Sequence, residues 1–172
     1  GPALPGILLA DVSSGLAAAI GILMGLLQRE KASRGQYIDI SMFDVIFSWF
    51  ALSNVAECIA TNSAGSAGDT SFTGKLACYQ IYKTKDGQHI TLGALEPKFW
   101  QLFCTAAGRD DWRDGYMEEE RQSYLKEELS RFFASKDKEE WMRLFPNGEF
   151  CFEPVNTVEE SLSNIHILAR QL

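Results

Sequence analysis

Between residues 15 and 28 the apolar positions recur at helical spacing, with Leu16, Ile20, Leu23 and Leu27 on one stripe. The stripe predicts a long first helix over residues 13–33, with its apolar side buried. Ser13 and Ser14 are suitable N-cap residues, and Gly35 suits the position just past the C-terminus. Gly21 and Gly25 form a GxxxG on this helix, a pattern that lets another backbone approach closely. Residues 36–40 alternate and predict a short strand or extended link. Ser41 then caps a second helix carrying Phe43, Ile46, Phe47 and Phe50 on one face, with Trp49 nearby; this aromatic stripe reads as core. Residues 62–73 are small, polar and glycine-containing, and predict a flexible loop.

The second half changes period. Residues 77–84 and 88–95 flank Lys85-Asp86-Gly87 and predict a β-hairpin. Pro97 fits the first position of a helix that turns Phe99, Leu102, Phe103 and Ala106 inward. Residues 108–115 read as a charged loop. An amphipathic helix over 118–134 follows, with Leu125, Leu129, Phe132 and Phe133 inward. Ser135 opens a shorter helix bearing Trp141, Leu144 and Phe145. Residues 150–155 form a short apolar strand broken by Pro154, and Thr157 with Glu160 is a capping box. The fold class is α+β, helices around a small antiparallel, hairpin-based sheet. Residues 1–40 are expected to be a leading helix and short strand, and residues 41–172 a small domain.

Composition narrows the function classes. The 172 residues suffice for one real core. The excess of 23 Asp and Glu over 16 Lys and Arg, without a basic cluster, argues against a nucleic-acid partner. Cys58, Cys78, Cys104 and Cys151 are widely spaced with no CxxC, so no metal site is expected and a reduced, cytoplasmic chain is. The apolar run over 15–27 is shorter than a bilayer span and ends in Gln28-Arg29-Glu30-Lys31, so no membrane is expected. No basic segment precedes it, as a signal peptide would require. Residues 1–6 begin abruptly, with two prolines, as a chain entered partway would.

Two carboxylates carry the candidate chemistry. Asp11 precedes the predicted first helix and Glu96 the helix that starts at Pro97. Near a helix N-terminus the macrodipole and free N–H groups favour an ionised carboxylate. Such a group can take a proton or attack a carbonyl carbon while neighbouring N–H groups bind the developing oxyanion. On local pattern alone the plain helix cap is the favoured reading of each.

Four segments in order resemble the class III CoA-transferase family, most closely its alpha-methylacyl-CoA racemase branch: LLADVSSGLAAAIGILMGLLQREKASRGQYIDISMFD, CYQIYKTKDGQHITLGALEPKFW, FCFEPV and NIHILAR. The resemblance implies that Asp11, in the LLAD segment, is catalytic. It implies an active-site role for Glu96 of GALEPKFW in the racemase branch. It further implies a large Rossmann-like domain beyond this stretch, an interlocked dimer, and an active-site histidine upstream of it. Neither His89 nor His166 stands in a segment that replaces that histidine. The family commonly has a Gly-Gly pair and a proline before the hairpin. Here Gly74-Lys75-Leu76-Ala77 stands instead, which restricts the backbone and adds a cation within reach of a ligand carboxylate or phosphate.

The implied activity is racemisation or epimerisation at the α-carbon of a 2-methylacyl-CoA. CoA transfer through an acyl-aspartyl anhydride is the alternative, and a non-catalytic dimerisation module the third reading. The expected partners are an acyl-CoA thioester and a second copy of the chain, as a homodimer or higher oligomer formed through the first helix. No separate cofactor is expected, coenzyme A being part of the substrate. The chain alone is expected to be inactive.

Overall fold

The computed structural model describes residues 5–62, 68–146 and 149–171. The chain forms two compact units, Gly1–Thr70 and Ser71–Leu172. The division expected after residue 40 falls inside the first of these.

The first unit is helical. Helix α1 spans Leu9–Ala32, starting four residues before the expected Ser13. Leu8, Leu9 and Ala10 favour helix, and Ser14 does not cap: its hydroxyl donates back to the carbonyl of Ala10 at 2.6 Å, a mid-helix bond. Ser33, in left-handed geometry, ends the helix two residues before Gly35, its N–H donating to Arg29 O. Residues 36–40 run as an extended link outside any sheet. The link lies on the GxxxG face, and side chains rather than a second backbone fill the notch. A Cβ at Gly21 would sit 2.7 Å from Ile40 Cδ1, and one at Gly25 2.7 Å from Ile38 Cδ1.

Helix α2, Met42–Phe50, starts as predicted: Ser41 Oγ accepts from Asp44 N at 3.2 Å. It continues through a π-helical stretch, Ala51–Val55, into α3, Ala56–Thr61. Two expected buried stripes are open to solvent in this chain. Leu16, Leu23 and Leu27 of α1 are 60–61% exposed, and Phe43 of α2, stacked on Phe47, is 74% exposed. With its full 24 residues, α1 is long and apolar enough to cross a membrane, so the length argument made from residues 15–27 lapses. Of the predicted loop, residues 63–67 lie outside the described residues.

The second unit holds the sheet. Strand β1 (Tyr79–Lys83) pairs antiparallel with β2 (His89–Gly93), which pairs antiparallel with β3 (Phe152–Pro154). The hairpin turns at Gly87, whose φ of +78° suits glycine and closes a three-residue loop between Thr84 and Gln88. Four helices follow α4, Pro97–Ala107: α5, Glu119–Phe133; α6, Lys138–Leu144; α7, Val158–Leu162; and α8, Ile165–Arg170. Ser135 does not open α6; Asp137 is its N-cap, with Asp137 N donating to Glu140 Oε2 at 2.9 Å. The Thr157–Glu160 capping box forms as predicted.

One face of the sheet (Tyr82, Ile90, Leu92, Phe152) packs on an aromatic core from α4, α5 and α6. Phe133 is central, with its ring 5.1 Å from Tyr82, 5.9 Å from Phe103 and 5.4 Å from Trp141. The predicted charged loop over 108–115 contributes to this core as well. Its Asp110–Trp112 turn is 3₁₀-helical and buries Trp112 completely, with the Arg109 guanidinium 4.0 Å from the ring centroid.

Candidate active site

Asp11 is the third residue of α1, so it lies within the first turn rather than before it. Amide N–H groups at this end of a helix have no intrahelical acceptor. The N-cap, Leu8, has no side-chain acceptor to offer them. The Asp11 carboxylate is exposed and, among the described residues, makes no hydrogen bond or ion pair. Two and three residues further along the helix, Ser13 and Ser14 are buried.

Glu96 is the N-cap residue of α4, with extended backbone and Pro97 at the first helical position. Its carbonyl accepts from Phe99 N at 2.9 Å and Trp100 N at 3.1 Å. Its carboxylate makes no capping bond. Good caps are Ser, Thr, Asp and Asn, and glutamate is one methylene longer than aspartate. The plain-cap reading therefore describes the backbone of Glu96 and not its side chain, which is exposed.

The connection carrying Glu96 is tightly held. Ala94 N donates to Cys78 O at 2.9 Å, Gly93 N to Cys151 O at 2.8 Å, and the Tyr116 hydroxyl to Leu95 O at 2.8 Å. Beside this connection opens a cleft of about 570 Å³ lined by Phe72, Tyr79, Ile81, Leu92, Gly93 and Cys151. Its walls are mainly apolar, with the Phe72 and Tyr79 rings edge to face at 5.5 Å. Gly74, at the cleft's edge, has its carbonyl bound by Lys126 Nζ at 2.7 Å and Gln80 Nε2 at 3.2 Å. Lys75 lies 3.8 Å from Glu119. Burial raises the Tyr116 hydroxyl pKa first, the charges of Cys78 and Glu96 adding to it; burial also lifts the Cys78 thiol to about 11.

Asp11 and Glu96 thus lie in different compact units, each a carboxylate without a partner among the described residues, in the opening residues of a helix. The sequence profile of CoA-transferase family III matches residues 1–172. The chain belongs to that family. Alpha-methylacyl-CoA racemase of Homo sapiens is 30% identical to this family III chain over 161 residues, 92% of the chain and 42% of that protein. Succinyl-CoA:glutarate CoA-transferase of Mus musculus is 26% identical over 173 residues, covering 97% and 39%. The chain therefore spans less than half the length of the curated relatives it matches. Among solved structures, a hypothetical protein (Rv3272) from Mycobacterium tuberculosis superposes with a TM-score of 0.76 at 22% identity. That match covers all of this chain and 46% of the other, and establishes a shared fold.

Sequence reasoning passed over the cleft and Tyr116. The cleft draws on residues from 72 to 151 that only the folded sheet brings together. Tyr116 stood next to a stretch read as loop, and an aromatic at the end of a charged segment was the available signal.

Proposed function

We propose that the whole protein acts on acyl-CoA thioesters and exchanges the proton at the α-carbon, interconverting the epimers of a 2-methylacyl-CoA. The observation that carries this reading is that both carboxylates occupy opening positions of helices while neither, among the described residues, is consumed in a cap or ion pair. A thioester acidifies its Cα–H. Asp11 takes that proton from one face, and the free N–H groups of the α1 first turn are donors suited to the enolate oxygen. A histidine outside this sequence, oriented or assisted by Glu96, returns a proton to the opposite face. The apolar cleft beside Glu96 is suited to an acyl chain, and coenzyme A is needed only as part of the substrate. The 30% identity to the human racemase supports the same choice.

CoA transfer is the second reading, favoured by the resemblance to the glutarate transferase and by the freedom of the Asp11 carboxylate to attack. There an Asp11 oxygen bonds to the thioester carbon, the C–S bond breaks, and CoA thiolate leaves an acyl-aspartyl anhydride. Incubation of the whole protein with a 2-methylacyl-CoA in deuterium oxide separates the readings. Deuterium at Cα without any added carboxylic acid is the expected result. Turnover only when an acceptor acid is present would replace racemisation by transfer, and no turnover in either case would leave an assembly module.

A further inference from the structure

We propose that Tyr116 and Gln122 are positioning residues for Glu96, joined in a closed hydrogen-bonded ring around the connection that carries it; this rests on the role given to Glu96 above. The ring can be followed bond by bond. Tyr116 Oη donates to Leu95 O at 2.8 Å, one residue before Glu96. Gln122 Nε2 donates to Tyr116 O at 2.8 Å and to Glu118 O at 2.9 Å, while Gln122 Oε1 accepts from Ala77 N at 2.9 Å. The next residue, Cys78, accepts from Ala94 N at 2.9 Å, returning to the segment where the ring began. Tyr82 Oη anchors Ala77 O at 2.7 Å.

Residues 94 and 95 are therefore gripped from both sides. Tyr116 also stacks on Trp100 at 5.1 Å between centroids, and the backbone N–H of Trp100 donates to Glu96 O. The Tyr116 side chain thus bonds the residue before Glu96 and packs on the first turn of the helix after it. The same ring fixes residues 77 and 78, next to Tyr79 in the cleft wall.

Two features favour positioning over mere stability. A buried amide such as Gln122, only 6% exposed, adds little net stability compared with an apolar residue of similar shape. What a fully satisfied polar network does supply is a unique geometry. Among the described residues Glu96 has no side-chain hydrogen bond, so its carboxylate is placed through its backbone, which is what the ring holds.

Tyr116→Phe keeps the ring stack and removes only the bond to Leu95. In the whole protein it is expected to lower kcat for Cα–H exchange about tenfold with KM changed less than about twofold, as a small misplacement of a reacting group does. In a Glu96→Gln background it should cost nothing further, because the two act as one unit. An equal loss in both backgrounds, or none in either, would overturn the proposal. A second readout does not depend on activity: the carbon-13 chemical shift of the Glu96 carboxylate at one fixed pH, which should move in Tyr116→Phe. If Glu96→Gln leaves exchange intact, the role of Glu96 fails and this chemical shift alone decides the positioning. An unmoved shift would overturn it.

Discussion

Asp86 fastens the hairpin turn to helix α6. Its carboxylate accepts from the Thr84 hydroxyl at 2.5 Å and from Lys138 N at 3.3 Å. The Thr84 bond is the main cause holding its pKa below the ordinary value, helped by the backbone bonds from Lys138 and Gln88. A carboxyl whose folded pKa is depressed stabilises the fold above its unfolded pKa, and that contribution disappears as pH falls through the folded value. Asp86→Asn should thus lower the urea midpoint at pH 7, with the gap to wild type closing below about pH 4. A gap independent of pH would show that the charge plays no part. At this scale the sequence was informative where chemistry is local: the Asp-Gly turn, Ser41 and the Thr157–Glu160 box all behave as their residue types dictate. It pointed the other way at Asp11 and Glu96, where local pattern favours a cap and only the family segments point to chemistry. It was silent on Tyr116 and Gln122, since a bond from residue 122 to residue 77 has no local signature.

Among the elements, α1 and its following link are joined by the two glycine notches. Alanine at Gly21 gains about 1 kcal/mol of helix propensity. Its Cβ would meet the tip of Ile40 at 2.7 Å, a flexible end that can rotate away, so the two effects nearly cancel. A valine cannot be accommodated by that rotation alone. Gly21→Val should destabilise the chain by about 1–3 kcal/mol in urea unfolding, the usual cost of overpacking. Stability equal to wild type would mean that the link does not depend on the notch. Element existence and type were legible in the hydrophobic period for α1, α2, α4, α5 and α6 and in the capping box for α7, but not for α3. Boundaries were less so: α1 starts at Leu9 because apolar helix formers extend it past the serines. The 3₁₀ turn at Trp112 was hidden because its charged neighbours outweigh one buried indole in any local pattern.

For the molecule as a whole, α1 leaves open the apolar face through which association is expected, and the aromatic face of α2, read as core, is open as well. Leu16, Ile20, Leu23 and Leu27, read as a buried stripe, are 51–61% exposed, and the Phe43–Phe47 stack is open as well. Periodicity locates an apolar face but does not say what covers it. Apolar area left in water costs roughly 25 cal/mol per Å², and a contiguous face of this kind marks an association surface. We propose that a second copy covers it, so light scattering behind size exclusion should find a dimer or larger at micromolar concentration. Leu23→Glu should shift that toward monomer; a clean wild-type monomer would contradict the dimer.

The central claim is that Asp11 carries the proton at the α-carbon. Deuterium incorporation into a 2-methylacyl-CoA, followed by proton NMR with wild type and Asp11→Asn of the whole protein, tests it most directly. The amide neither takes a proton nor attacks a thioester, so exchange should fall by about a thousandfold or more while circular dichroism stays that of wild type. Exchange near the wild-type rate in Asp11→Asn would contradict the account and return Asp11 to the role of a helix-terminal charge.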